Sequence, residues 1–129
     1  MKALTIRQPW ATLIIQQNKR FEFRSWKTNY RGEILIHAGQ TMDKEAMERL
    51  KKYLPDTIPT GKILGKVKLI DCIKTTPGFR DELKKENKDI YQQSMFKEEY
   101  AWQVELVEKF DNPIDIKGKL GLWNYEDNI

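Results

Sequence analysis

Soft metal ligands are nearly missing from this sequence, which contains one cysteine, Cys72, and one histidine, His37. A lone cysteine excludes an internal disulfide, and the two residues together are too few for a structural zinc site. No apolar run approaches the roughly 18 residues that a membrane-spanning helix needs. The opening Met1-Lys2-Ala3-Leu4 leads straight into strand-like sequence, without the layout of a signal peptide. There is no Walker loop, no GxGxxG, no HExxH and no GxSxG. These absences predict a protein of the reducing cytoplasm that makes no membrane contact and holds no metal.

What is present suits one domain over residues 1–129 with one hydrophobic core. Hydrophobic residues make up 40% and charged residues 33%, a globular rather than a disordered balance. Twenty-three basic residues against 19 acidic ones leave a net charge of +4, which leans mildly towards polyanionic partners.

Short strands come at short intervals, with helices between them. Residues 2–6 read as a first strand. Pro9 suits the first turn of a helix, and Trp10, Leu13, Ile14 and Gln17 follow at helical spacing. That predicts a helix of about ten residues, closed by Asn18 as a left-handed cap. Residues 20–24 alternate, with Phe21 and Phe23 on one face and Glu22 and Arg24 on the other. Strands are expected over 33–38, 62–72, 100–110 and 118–125, with a short one at 114–116. Gly65 marks a bulge or a close approach in the second of these. A helix is expected over 42–54, and one or two short helices over 79–97, where Leu83, Ile90, Tyr91, Met95 and Phe96 are the apolar anchors. Breaks are expected at Thr76-Pro77-Gly78 and at Asp111-Asn112-Pro113. The pattern predicts an α+β fold: a small, mostly antiparallel β-barrel decorated by two to four helices.

The densest chemistry lies in residues 8–26. Strand parity places Glu22 and Arg24 on one face, about 7 Å apart, with Lys19 at the turn before them. A carboxylate between two cations stays ionised, and Arg24 can grip a phosphate or carboxylate through two parallel hydrogen bonds. An ordinary wet strand face with a surface ion pair explains the same spacing. Trp10 and Trp26 flank the stretch. Tryptophans beside cations suit stacked bases, although Trp10 also fits an apolar helix stripe. Trp26 shares the parity of Glu22 and Arg24. His37 has the chemistry of a general base but no neighbouring nucleophile in sequence. Cys72 reads as a buried thiol. Lys62, Lys66 and Lys68 form either a basic rail for phosphates or a solvated face.

With these residues in view, the chain resembles the ASCH domain family, a branch of the PUA-like barrels. The opening Leu4-Thr5-Ile6-Arg7-Gln8-Pro9-Trp10-Ala11 is similar to the family's strand-then-helix start. The family signature G-x-K-x-x-E-x-R is matched at Lys19, Glu22 and Arg24, followed by Ser25-Trp26. Arg31-Gly32, the strand Ile34-Leu35-Ile36-His37-Ala38, the segment Tyr100-Ala101-Trp102-Gln103-Val104 and the ending Gly118-Lys119-Leu120-Gly121-Leu122-Trp123 add to the likeness.

The resemblance implies a PUA-like barrel whose cleft takes RNA, a nucleotide or a modified nucleoside, with no organic cofactor. The expected ligand-binding residues are Lys19, Glu22, Arg24, Ser25, Trp26, Trp10 and His37, in a monomer. A rival expectation is a metal-independent hydrolase of RNA or of an acylated nucleoside such as N4-acetylcytidine, with Lys19 and Glu22 as its catalytic pair. A third is an adaptor that binds another protein through residues 79–97. Two departures from the family pattern stand out. Gln17 occupies the usual glycine position. Glu22 occupies the position of the threonine nucleophile in the K-x-x-T branch that hydrolyses N4-acetylcytidine, and a carboxylate cannot stand in for that hydroxyl.

Overall fold

The computed structural model describes residues 1–92 and 99–126. Met95 and Phe96, two of the expected anchors, lie outside the described residues. The elements run β1 (Lys2–Gln8), α1 (Trp10–Ile15), β2 (Phe21–Arg24), β3 (Gly32–Met42), α2 (Lys44–Arg49), a 3-10 turn (Lys51–Tyr53), β4 (Lys62–Lys74), α3 (Pro77–Glu86), β5 (Tyr100–Asp115) and β6 (Leu122–Asn124). All six strands join one sheet in the order β2-β5-β4-β3-β1-β6. β1 runs parallel to β3, and every other pairing is antiparallel. The α+β class and its mostly antiparallel character are as expected. The barrel does not close: the order is linear, and among the described residues no ladder joins β2 to β6. Those edge strands have four and three residues, too little ladder to seal a cylinder.

Alternation along β1 and β3 sends side chains into two apolar clusters rather than one core. Leu4, Ile6, Ile34 and Ile36 join the larger cluster with α1. Their neighbours Ala3 and Leu35 point the other way, into a smaller cluster with Ile63, Trp123 and Tyr125. Both faces of the central strands are therefore dry.

Several sequence signals take a different structural form. α1 has six residues rather than about ten. Gln17, not Asn18, takes the left-handed conformation, at φ 67°. The expected helix over 42–54 is shorter, because Met42 ends β3, Asp43 caps α2 by accepting from the Ala46 amide at 3.1 Å, and the helix tightens into a 3-10 turn after Arg49. Thr76-Pro77-Gly78 starts α3 rather than breaking the chain. Thr76 Oγ1 accepts from the Phe79 amide at 3.2 Å, and proline fits the first helical position. Asp111-Asn112-Pro113 marks a wide bulge inside β5, where the step from Ile63 to Gly65 on β4 is matched by the step from Ile114 to Lys109. The close approach expected at Gly65 is real: a Cβ there would stand 2.4 Å from the Glu108 carbonyl oxygen.

Candidate functional site

The site begins where α1 hands over to β2. Gln8 is fully buried and spans the entry to the helix, accepting from the Thr12 amide at 3.0 Å and donating to the Pro59 carbonyl at 2.8 Å. At the other end of α1, the Leu13 carbonyl accepts from both Asn18 and Lys19 amides. The left-handed Gln17 lets the chain reverse there, performing the role that the family assigns to glycine. The reversal turns the Lys19 side chain inward, under Trp10.

Lys19 is 2% exposed. Its Nζ donates to Glu22 Oε1 at 3.0 Å and lies 4.8 Å from the Trp10 ring centroid and 5.4 Å from that of Phe23. The second carboxylate oxygen of Glu22 meets Arg24 Nη2 at 3.0 Å, and the same nitrogen donates to the Thr5 carbonyl at 2.9 Å. Arg24 Nε is buried without a hydrogen-bond partner among the described residues. Of the two readings that the spacing allowed, the ordinary wet face is not what forms at Glu22, which is buried although it alternates with the buried Phe21 and Phe23.

Burial is the strongest influence on both ends of the pair. It lowers the Lys19 pKa, outweighing the opposing pull of Glu22. It pushes the Glu22 carboxyl upward, but Lys19 and Arg24 together outweigh it and hold the group below the ordinary carboxylate value.

These residues form one wall of a cleft of about 760 Å³. The structure brings Lys19, Glu22, Arg24, Ser25, Trp26 and Trp10 together there. Trp10 is buried against Lys19, whereas Trp26 is 39% exposed at the rim and stands edge-on to the buried Trp102, centroids 4.6 Å apart. Arg7, Gln40, Thr41 and Arg49 also line the cleft. Arg7 lies in the quoted opening motif, and its exposed position between buried Ile6 and Gln8 follows from strand parity. Gln40, Thr41 and Arg49 reach the cleft only through the pairing of β1 with β3 and the placement of α2, which no local pattern specifies.

His37 is elsewhere. It is 2% exposed among the residues of the smaller cluster and borders an adjoining hollow rather than this cleft. Its Nε2 donates to the Ile116 carbonyl at 2.7 Å, and Nδ1 lies 3.2 Å from Thr5 Oγ1. Thr5 Oγ1 in turn accepts from Trp123 Nε1 at 3.0 Å. Both ring nitrogens have structural partners. Two lysines of the β4 row find carboxylates, Lys62 with Asp115 and Lys66 with Glu33 at 3.3 Å, whereas Lys68 is exposed and makes no ion pair among the described residues. The described apolar residues of the charged segment turn inward. Phe79 stacks edge-on to Phe21 at 5.2 Å, Leu83 and Ile90 are buried, and Tyr91 Oη accepts from the Arg20 amide at 3.0 Å. Among the described residues no group of three or more His, Cys, Asp or Glu is placed to hold a metal, and no helix is long and apolar enough to cross a membrane.

A mixed, mostly antiparallel six-stranded sheet with three helices is consistent with the PUA-like ASCH fold. The chain belongs to the ASCH domain family, whose model matches residues 4–114, and the ASCH domain is a PUA-like fold associated with RNA binding. It is 32% identical to human activating signal cointegrator 1 and 31% identical to the Mus musculus protein of the same name, over 98% of this chain in both. The chain spans only 22% of the length of either relative. Among solved structures it is similar to ASCH from Zymomonas mobilis, with TM-score 0.62 and 13% identity, covering 97% of this chain and 87% of that one. A point mutant of the same bacterial protein matches with TM-score 0.62 and 14% identity, covering 97% and 88%.

Proposed function

We propose that the protein binds RNA, or a nucleotide-sized piece of it, in the cleft walled by Lys19, Glu22, Arg24 and Trp26. The observation that carries this reading is the shortage of acceptors around Lys19. A buried ammonium has three donors, and among the described residues Lys19 makes one hydrogen bond, to Glu22. Arg24 engages one nitrogen and leaves Nε unpartnered. Burying donors without acceptors is costly. A ligand rich in carbonyl or phosphate oxygens relieves that cost, and an exposed tryptophan at the rim offers a face on which a base can stack. The volume falls within the roughly 300–1,000 Å³ of small-ligand sites, which suits one nucleotide better than a duplex.

The test is the affinity of single-stranded RNA and of nucleoside monophosphates for Arg24→Gln and Trp26→Ala, with thermal melts to verify folding. Trp26→Ala should weaken binding by ~1–3 kcal/mol, and Arg24→Gln by a comparable amount. Unchanged affinity in both variants would remove the site from consideration.

The lowered pKa of Lys19 supports a second reading, in which the lysine assists hydrolysis of an acylated nucleoside or of RNA. Glu22 would act beside it as acid or base, not as the nucleophile. Incubation with N4-acetylcytidine and with structured RNA discriminates: turnover that disappears in Lys19→Met favours the enzyme, and binding without turnover favours the first reading.

A further inference from the structure

The cleft does not end at Trp26. A second hollow of about 660 Å³ adjoins it, and the two share Thr5, Gly39, Gln40 and Leu120 in their walls. The far wall of this hollow is the loop between β5 and β6, which contributes Lys117, Gly118 and Lys119. Among the described residues no Asp or Glu lines it. Both lysines are exposed, and neither makes an ion pair among the described residues.

The loop is held firmly in place. The Ile116 amide donates to the Gly61 carbonyl at 3.1 Å, and the Ile116 carbonyl accepts from His37 Nε2 at 2.7 Å. The Gly118 backbone lies so close to His37 and Thr5 that a Cβ would come within 2.5 Å and 2.6 Å of their side chains. On this anchored loop Leu120 stands 97% exposed, on the ridge common to both hollows. Its neighbour Gly121 faces the Trp26 ring. Among the described residues nothing covers this apolar side chain, which stands between an aromatic rim and two exposed cations.

We infer that the loop of Lys117, Lys119 and Leu120 is a second subsite that makes the ligand a single RNA strand rather than a free nucleotide. One nucleotide enters the tryptophan-rimmed cleft. Leu120 separates its base from the next one, as apolar wedges do between bases elsewhere. The phosphates that follow pass over Lys117 and Lys119. The inference rests on the cleft reading above, and its test separates the two.

The full chain is titrated with a nucleoside 5′-monophosphate and with a single-stranded RNA of about six nucleotides, within the span of one such site, at several salt concentrations. The RNA should bind about tenfold more tightly than the monophosphate. In Lys117→Ala/Lys119→Ala that gain should vanish and the salt slope should fall by about 1.4, the loss of two phosphate contacts on a single strand. Monophosphate affinity should stay at the wild-type value. Leu120→Ala should weaken RNA severalfold with a wild-type salt slope. RNA binding and salt slope unchanged in the double variant would overturn the subsite while leaving the cleft reading intact. Failure of both probes to bind the wild-type protein would overturn both readings. A poly-glutamate peptide that competes as well as RNA for Lys117 and Lys119 would assign them to an acidic protein and overturn the RNA assignment.

Discussion

Lys19 and Glu22 meet at 3.0 Å across the corner between α1 and β2, with the lysine sealed from solvent and the carboxylate shared with Arg24. Such a pair is an expensive element of a small domain. Desolvating two charges costs several kcal/mol for each, and their attraction recovers that only with good geometry and further hydrogen bonds. Arg24, the Thr5 carbonyl and the Trp10 ring supply part of the compensation.

Removing one partner should therefore be worse than removing both. Glu22→Ala leaves Lys19 buried without a counter-charge and should cost roughly 3–5 kcal/mol in urea unfolding. Replacing both, as Lys19→Met/Glu22→Leu, should cost clearly less. A double variant as unstable as the single one would show that the pairing is not what matters. Glu22→Ala is consequently a poor probe of ligand binding, and Arg24→Gln is a better one.

Acid should expose the same pair. The native Glu22 carboxyl releases its proton more readily than a glutamate in the unfolded chain, which titrates near 4.3. The unfolded state therefore binds more protons as pH falls below that value. The stability from Glu22 is complete above about pH 4.3 and is lost as pH falls through the lower native value. Melting temperatures measured from neutral pH into that range should fall more for the wild type than for Glu22→Gln, and parallel curves would contradict the shift.

Gln17→Gly should stabilise the protein. A side chain at φ 67° costs about 1–2 kcal/mol, and the glycine returns roughly 0.5–1 kcal/mol of this through the entropy of the unfolded chain. The net gain is a fraction of a kcal/mol to about 1 kcal/mol, read as a rise of a few degrees in Tm. Gln17→Ala keeps a Cβ and should show no such gain.

Two glycines should respond in opposite ways to alanine. At Gly118 the new methyl would collide with His37 and Thr5, and overpacking of this kind costs ~1–3 kcal/mol. At Gly78, in the first turn of α3, nothing lies within 4 Å of a Cβ, and lower entropy of the unfolded chain should add ~0.4–1 kcal/mol. Chemical denaturation of the two variants measures both effects.

Local patterns in the sequence carry most of the fold. Alternation places β1, β3, β4 and the first half of β5, and the side-chain oxygens before α2 and α3 start those helices. Where a signal misleads, the cause is a neighbour in space. Pro113 reads as a break, yet β5 runs on past it, because β2 pairs only with Tyr100–Gln103 and leaves the rest of that edge free of a ladder that would need its amide. Gln17 hides a turn that glycine would have announced.

The candidate site divides along the same line. The sequence alone determined that Lys19, Glu22, Arg24, Ser25 and Trp26 travel together, since one turn and one strand carry all five within eight residues and parity sets the spacing of Glu22 and Arg24. It could not determine whether that strand face was wet or dry. Only the tertiary structure decided that, by laying Trp10 over Lys19 and bringing the Thr5 carbonyl of a non-adjacent strand to Arg24. The same long-range packing removed His37 from the cleft and raised Leu120 at its edge. The reason is physical: side-chain direction follows from local backbone periodicity, whereas burial depends on what distant segments cover, and the charge state and chemistry of this cleft depend on burial.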